Sequence, residues 1–304
     1  VFPSRAILDH NVITHAIMYD IQGVNAIPCN MSIVIGLMVD DFERYATKYS
    51  NGTYEFYIDR ESAITIENEF NFHLDYDIIV RRVKNTAGYV YTATYNLPEA
   101  DDERNRLSEV NNPYLKQPFV TRIGDTNFIL IQTIVHQVKL KKTYKNFLTS
   151  NVIDNRTIVF TFDEDEQLAD FEIRITEPIG DHDVVNLTPI FEGSAVPESV
   201  KRYCEYVYVN NNTIRIKFVR GSYLPKLGSE CEVIVKTTYG ADGRFNYTEP
   251  AFINYSSEKY NYPTGIQLLI RPNSESKGGI NRKSVQELHD ILPKEILMNG
   301  AITT

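Results

Sequence analysis

Alternation of apolar and polar residues constrains this chain most, because a period of two is the pattern of strands with one buried face. Between Thr53 and Tyr95 the alternating apolar positions are Tyr54, Phe56 and Ile58, Ile64 and Ile66, Phe70, Phe72 and Leu74, and Ile78 and Val80. Turn-forming residues such as Gly52 and Asn85 separate these runs. The pattern predicts an antiparallel meander over this stretch.

A second set of short strand-like runs follows residue 118. The runs cover 127–133, 157–162, 171–176, 206–209, 213–219 and 232–237. Asn210-Asn211-Asn212 separates two of them, and asparagine tolerates the positive φ that a tight hairpin needs. Twenty tyrosines and no tryptophan also favour strands. Short strands at this spacing predict an antiparallel β-sandwich-like unit.

The residues before Thr53 are expected to mix helix and strand. Ser4 is a candidate N-cap for a first helix, whose apolar residues recur every three or four positions up to about Gly23. The run Ile33-Val34-Ile35 predicts a buried strand. Residues 40–45 predict a short helix with acidic residues at its positive end.

Three prolines mark the candidate linker. Pro98, Pro113 and Pro118 lie among charged and amide residues, which is typical of a connecting segment. We therefore predict a mainly β chain with some helix, an α+β fold, in four parts. The parts are an N-terminal α+β unit (1–97), a linker (98–118), a β-sandwich-like unit (119–260) and a segment that begins a further module (261–304).

The last segment carries the candidate functional residues. The loop at Gly278-Gly279 can take positive φ and approach a neighbouring chain closely. Ser284 and Glu287 have the spacing of a capping box, which starts a helix, and we expect Pro293 to end that helix. The predicted assembly interface consists of Gly278, Gly279, Ser284, Glu287, Leu288 and Leu292. The alternative is that loop and helix only cap the preceding sheet within one chain.

Composition argues against two classes of partner. The chain has 31 basic and 40 acidic residues, a formal net charge of -9, and an acidic surface repels nucleic-acid phosphates. No run approaches the 18 or so apolar residues of a membrane helix, so no membrane is expected either. Because the numbering starts at Val1 and the first residues lack the apolar core of a secretion signal, we expect it to begin inside a longer gene product or after processing.

The three cysteines predict buried thiols. A disulfide between Cys204 and Cys231 would form in an oxidising compartment, whereas thiols are expected for a protein made in the cytosol. The spacing of Cys29, Cys204 and Cys231 gives no zinc site.

The sequence holds no Gly-x-Ser-x-Gly, His-Glu-x-x-His, P-loop or dinucleotide-binding motif, and Gly278-Gly279 lacks the spacing of a phosphate-binding loop. Asp181-His182-Asp183 would suit a metal, but neighbouring strand residues point to opposite faces, so a polar turn is the favoured interpretation. The acidic stretch 163–166 lacks the glycine and distal glutamate of an EF-hand and predicts a solvated hairpin tip. His10 and His15 lie about 140° apart on a helix and cannot chelate well. We expect no enzyme activity, no metal and no cofactor.

Several stretches resemble a known family. In 276–289, the residues Gly278-Gly279, Asn281, Ser284 and Glu287-Leu288 match the Gly-Gly-x-Asp/Asn-x-x-Ser/Thr-x-x-Glu-Leu element of phage baseplate wedge proteins, including the baseplate J-like family. The threonine-rich end at 302–304 is similar to the stretch after that element in the family. Stretches similar to long virion structural proteins of large tailed phages are 72–78, 222–228 and 237–245.

The resemblance implies a structural role without catalysis. The chain would be a wedge-like subunit of a phage tail baseplate, made in the host cytoplasm and resident in the virion tail. Its partners would be other baseplate proteins and copies of itself, and it would transmit conformational change between the tail fibres and the sheath. Abundant tyrosine suits such contacts, and acidic charge would keep copies soluble before assembly.

Two alternatives stay open. The first is a carbohydrate-binding or adhesive β-sandwich protein of a virion or cell surface, which would present two or three exposed tyrosines beside Asp or Asn in one groove. An assembly subunit would instead spread its aromatic residues over large contacts. The second alternative is a glycosidase, which needs two carboxylates about 5 to 10 Å apart in a cleft.

Overall fold

A computed structural model describes residues 9–18, 21–66, 70–86, 88–97, 114–146, 157–163, 166–178, 184–247 and 249–302. The helices are α1 (Asp9–Met18), α2 (Val39–Tyr45) and α3 (Val285–Ile302). The strands are β1 (Asn30–Met38), β2 (Thr47–Lys48), β3 (Tyr54–Ile58), β4 (Ile64–Ile66), β5 (Phe70–His73), β6 (Asp77–Asn85), β7 (Gly88–Asn96), β8 (Phe119–Ile123), β9 (Thr126–Gln137), β10 (Lys139–Asn146), β11 (Thr157–Thr161), β12 (Gln167–Thr176), β13 (Val184–Phe191), β14 (Tyr203–Asn210), β15 (Thr213–Phe218), β16 (Glu230–Thr238), β17 (Ala251–Ser257) and β18 (Tyr262–Pro272). Strands dominate, which confirms the prediction of a mainly β, α+β fold.

The chain forms two compact units, each built from segments that are distant in sequence. The described residues of 1–27, 140–240 and 280–304 form unit 1, and those of 28–139 and 241–279 form unit 2. The predicted parts, 1–97, 98–118, 119–260 and 261–304, were consecutive, so the observed division differs from them. The physical reason is strand pairing, because β1 pairs with both β9 and β18 and so joins three distant segments in one sheet. Residues 98–113 of the predicted linker lie outside the described residues.

Unit 2 packs two sheets face to face. The larger has the order β17-β18-β1-β9-β5-β4, with β8 also beside β9, and the smaller has the order β2-β3-β6-β7. β1 is antiparallel to both neighbours, and Ile33, Ile35 and Leu37 on its inner face are 0% exposed. Phe56 of the smaller sheet stacks on Tyr262 of the larger with 4.6 Å between ring centroids. The two sheets therefore share one core.

The predicted meander is divided between these two sheets. β3, β6 and β7 are antiparallel neighbours in the smaller sheet, as the alternation predicted. The hairpin of β4 and β5 instead joins the larger sheet, where β5 pairs with β9. Alternation indicates that one face of a strand is buried, but not which sheet buries it.

A side chain covers part of the edge of the smaller sheet at β7, beside which no further described strand lies. The Ala93 N–H donates to Gln117 Oε1 at 3.3 Å, and Gln117 Nε2 donates to the Ala93 carbonyl oxygen at 3.4 Å. Leu115, two positions before Gln117, is 2% exposed in the core and anchors this segment. The glutamine amide thus takes the place of one residue of a neighbouring strand, a protection that sheet edges need.

Unit 1 contains one seven-stranded sheet of order β10-β16-β12-β13-β14-β15-β11. β13 changes partner midway, since 184–187 pair antiparallel with β12 and 188–191 pair parallel with β14. The rings of Phe160 on β11 and Phe171 on β12 have centroids 5.3 Å apart. In a flat sheet these strands would be separated by four spacings of about 4.8 Å. The sheet therefore folds over about β13 into a sandwich-like form.

The two long helices complete the core of unit 1. α1 packs against α3 and β14, and Ile13 and Ala16 of α1 are 0% exposed. α3 continues through Pro293 to Ile302, so the prediction that Pro293 ends the helix is wrong. A proline removes one backbone hydrogen bond and can bend a helix without ending it. None of the described helices is long and apolar enough to cross a membrane.

All three cysteines lie within the described residues and are buried without a disulfide, as expected. Burial raises the pKa of Cys204 and of Cys231 to about 12. Both side chains therefore stay as neutral thiols in the core of unit 1 at physiological pH.

Candidate functional site

The predicted Gly278-Gly279 loop lies against its own chain in unit 2. Gly278 has the expected positive φ, at 87°, and a Cβ there would approach Asn30 Nδ2 to 3.2 Å. Lys277 and Asn30 exchange backbone hydrogen bonds of 2.9 and 2.8 Å. The close approach that the glycines permit is thus made within the same chain.

Ser284 and Glu287 form the predicted capping box. The Ser284 N–H donates to Glu287 Oε2 at 2.7 Å, and the Glu287 N–H donates to Ser284 Oγ at 3.2 Å. Hydrogen bonds from the Ser284 backbone and hydroxyl lower the pKa of the Glu287 carboxyl. The pair fixes the start of α3.

Leu288 and Leu292 belong to the core of unit 1. Both are 0% exposed, and they pack with the residues of α1 and the folded sheet. Neither side chain can touch a partner while the unit is folded. Their predicted interface role is therefore corrected, because the apolar stripe of α3 is used inside the chain, as the alternative proposed.

Arg282 and Lys283, which precede α3, also form hydrogen bonds within unit 1. The Arg282 guanidinium donates to Asn211 Oδ1 at 2.7 Å and to the Asn211 carbonyl oxygen at 3.1 Å. Asn211 lies at the turn between β14 and β15, where the sequence predicted a hairpin. The Lys283 N–H donates to the Gly23 carbonyl oxygen at 2.7 Å.

Two of the stretches that carry the family resemblance meet in unit 1. Gly240, with φ of 55°, lies so close to Asn281 that a Cβ would be 3.1 Å from Asn281 Cα and 2.3 Å from Asn281 Oδ1. A side chain at residue 240 would therefore need the backbone at 281 to move. Sequence spacing gave no sign of this contact, because the two residues lie on separate segments.

A cluster that the sequence did not predict lies on the outer face of the smaller sheet of unit 2. Glu55 accepts hydrogen bonds from Tyr57 Oη at 2.6 Å, Tyr49 Oη at 3.0 Å and Arg81 Nε at 2.6 Å. Burial alone would raise the pKa of Glu55, but these three hydrogen bonds lower it overall. Glu55 is therefore ionised at neutral pH.

The same cluster extends from Tyr57 to a buried carboxylate. Tyr57 stacks on Tyr260 with 4.5 Å between ring centroids, and the Tyr260 hydroxyl donates to Asp77. Asp77 is 3% exposed and lies 2.6 Å from Lys259 Nζ, which compensates its charge. The sequence signal was the pair of polar residues two positions apart on β3, Glu55 and Tyr57, which must share the face opposite Phe56.

Exposed aromatic side chains occur on both units. Those at least 44% exposed include Tyr49, Tyr89, Phe119 and Phe252 of unit 2 and Tyr144 and Tyr239 of unit 1. The strand registers align Phe119, Leu130, Gly36, Leu269 and Phe252 across the outer face of the larger sheet, and we name this set the outer apolar row. Gly36 is at the centre of the row. A Cβ on Gly36 would be 3.0 Å from Leu130 Cδ2, so the side chain of Leu130 fills the space beside the glycine.

Several other candidates from the sequence fall outside the described residues. They are Asp181-His182-Asp183, Glu164, Asp165 and the side chain of His10. Asp163 forms an ion pair with Lys141, with 3.8 Å between Asp163 Oδ2 and Lys141 Nζ. His15 is half-buried, and burial lowers its pKa. Within the described ranges, no three His, Cys, Asp or Glu side chains come together in a way that could hold a metal ion.

The chain matches no protein-family model and no curated protein.

Proposed function

We propose that the chain is a structural subunit of a tailed-phage baseplate, wedge-like, which works by assembly with other tail proteins and with copies of itself. The observation that carries the proposal is the spread of exposed aromatic side chains over both units, including Phe119 and Phe252 at the two ends of the outer apolar row. Aromatic residues are enriched at protein interfaces. The resemblance of 276–289 to the baseplate element supports the same role.

The connection between the units suits a part that transmits conformational change. The backbone passes from one unit to the other after residues 27, 139, 240 and 279. A displacement of either unit therefore acts on four backbone connections, whereas two domains in series have a single linker.

Purified virions test the proposal. Quantitative mass spectrometry should find the chain in a fixed, multiple-copy ratio to the other tail proteins, with abundant host proteins as the measure of contamination. A chain found at the level of host contaminants, or only in the cell lysate, would remove the baseplate proposal.

The cluster around Glu55 favours a second candidate, a carbohydrate-binding or adhesive surface. Three tyrosines, Tyr49, Tyr57 and Tyr260, lie beside carboxylates there, and Tyr49 is 44% exposed. Tyrosine rings suit the apolar faces of sugars, and carboxylates accept hydrogen bonds from hydroxyls. Nothing in the described part of the chain favours the glycosidase alternative.

Isothermal titration of the purified chain with a panel of host-surface oligosaccharides tests this second candidate. Binding that is lost in Tyr49→Ala and retained in Tyr239→Ala, an exposed tyrosine of unit 1, would support it. Absence of binding across the panel would remove it and leave the assembly role as the only proposal.

A further inference from the structure

β8 is an edge strand with apolar side chains in solvent. It pairs with β9, and no other described strand lies along its opposite edge. Phe119, Val120 and Ile123 are 59%, 48% and 45% exposed. A row of free backbone donors and acceptors beside apolar side chains is a template for pairing with another strand.

The turn before β9 determines which backbone groups face outward. Gly124 and Asp125 form a two-residue turn, and Gly124 has φ of 60°, as the first central residue of a type II′ turn requires. The closing pair, Ile123 and Thr126, is hydrogen-bonded, and hydrogen-bonded and non-hydrogen-bonded pairs alternate along the hairpin. Val120 and Arg122 therefore direct their N–H and C=O groups to the outer edge.

We propose that this edge pairs with the same edge of a second copy of the chain, antiparallel, with Thr121 on the two-fold axis. Pairing centred on Val120 would place Pro118, which has no N–H, opposite Arg122. Pairing centred on Arg122 would set two guanidinium groups against each other. Only the register centred on Thr121 joins Val120 to Arg122 on both sides, with four backbone hydrogen bonds.

The apolar surface continues across the contact in this register. Phe119 lies opposite Ile123 of the second copy, on the face that carries the outer apolar row. The row therefore continues from one copy into the other, as an isologous two-fold contact requires.

The inference deepens the proposed assembly role and rests on it, but the two are tested on different material. The pairing is tested on the purified chain, and the baseplate role on virions. A chain that dimerises but is absent from virions refutes the role alone. A virion protein that stays monomeric refutes the pairing alone.

Sedimentation equilibrium of the purified chain is the first test. We expect a concentration-dependent dimer that Val120→Pro abolishes, because this substitution removes an outward N–H. Proline is tolerated at edge positions whose N–H faces solvent, so the thermal unfolding of this variant should match that of the parent at concentrations where the parent is monomeric. Val120→Thr, the matched control, keeps the N–H and should keep the dimer. A parent chain that is monomeric throughout, or a Val120→Pro variant that dimerises like the parent, overturns the proposal.

Charge substitutions test the register. Val120→Glu puts a carboxylate opposite Arg122 of the second copy at two symmetric places, so the dissociation constant should fall roughly 2- to 30-fold. Val120→Lys should raise it by a similar factor. Equal effects of the two substitutions would contradict the register.

A cysteine on the axis gives an independent check. In the proposed pairing, Thr121 faces itself at a non-hydrogen-bonded position, where the Cα atoms are about 4.5 Å apart, within the range of a disulfide. Thr121→Cys should form a covalent dimer under mild oxidation, whereas Asn127→Cys on β9 should not. Equal dimer yields from the two variants would refute the two-fold at Thr121.

Discussion

Glu55 shows how one side chain organises a surface. Its carboxylate accepts hydrogen bonds from two tyrosines and one arginine, and these lower its pKa in the folded chain. A carboxylate with a lowered folded pKa adds stability above its unfolded pKa of about 4.3. That stability is lost as the pH falls through the folded value.

Replacing this carboxylate should therefore change the acid sensitivity of the chain. We expect Glu55→Gln to reduce the free energy of unfolding at pH 7 and to weaken its decline below about pH 4.3, since the titrating group is gone. Urea unfolding between pH 7 and pH 3 measures both effects. Glu258→Gln, at an exposed position, is the control. If the free energy of unfolding depends on pH in the same way in both variants, Glu55 does not stabilise the cluster.

Gly240 is a residue where a side chain would meet both a strained backbone conformation and a close neighbour. It has a positive φ, and a Cβ there overlaps Asn281. Gly193 has φ of 89°, and a Cβ added there would meet nothing within 4 Å, so this position isolates the backbone effect. We expect Gly193→Ala to cost about 1–2 kcal/mol of stability from the left-handed backbone alone, and Gly240→Ala to cost more. Equal losses in chemical denaturation would mean that the contact with Asn281 relaxes freely.

At the scale of elements, local patterns predicted the strands and hairpins but not their partners. The alternation at β3 and β6 and the asparagines between β14 and β15 predicted these elements. The hairpin of β4 and β5 belongs to the larger sheet of unit 2 and not to the predicted meander, because its pairing with β9 depends on residues far away in sequence. The capping box of α3 was predictable since both partners lie within four residues.

The apolar stripe of α3 stabilises the core of unit 1. Leu288→Ala and Leu292→Ala should each reduce the free energy of unfolding by about 2–5 kcal/mol, because each leaves a cavity in the core of unit 1. Gln286→Ala, on the exposed side of the same helix, should change it by less than about 0.5 kcal/mol. Leucine variants that fold as stably as the parent but fail to assemble would restore the interface role that the sequence predicted.

At the scale of the whole molecule, the two units follow from pairings that no local pattern encodes. β1 lies between β9 and β18, so residues near the two ends of the chain share one sheet. The first and last helices likewise meet in unit 1. The Glu55 cluster could not be predicted from local sequence either, because Arg81 and Tyr260 contact it from other strands and loops. Residue types and spacing identified the capping box, whereas the residues of this cluster are brought together only by the fold.

Cross-linking mass spectrometry of intact virions tests whether the chain acts by assembly in a phage tail. Exposed lysines are available on both units, for example Lys84 on unit 2 and Lys201 on unit 1. We expect cross-links from these lysines to other tail proteins and to further copies of the same chain. Virions in which the chain is absent, or carries no cross-link to any tail protein, would contradict the assembly role.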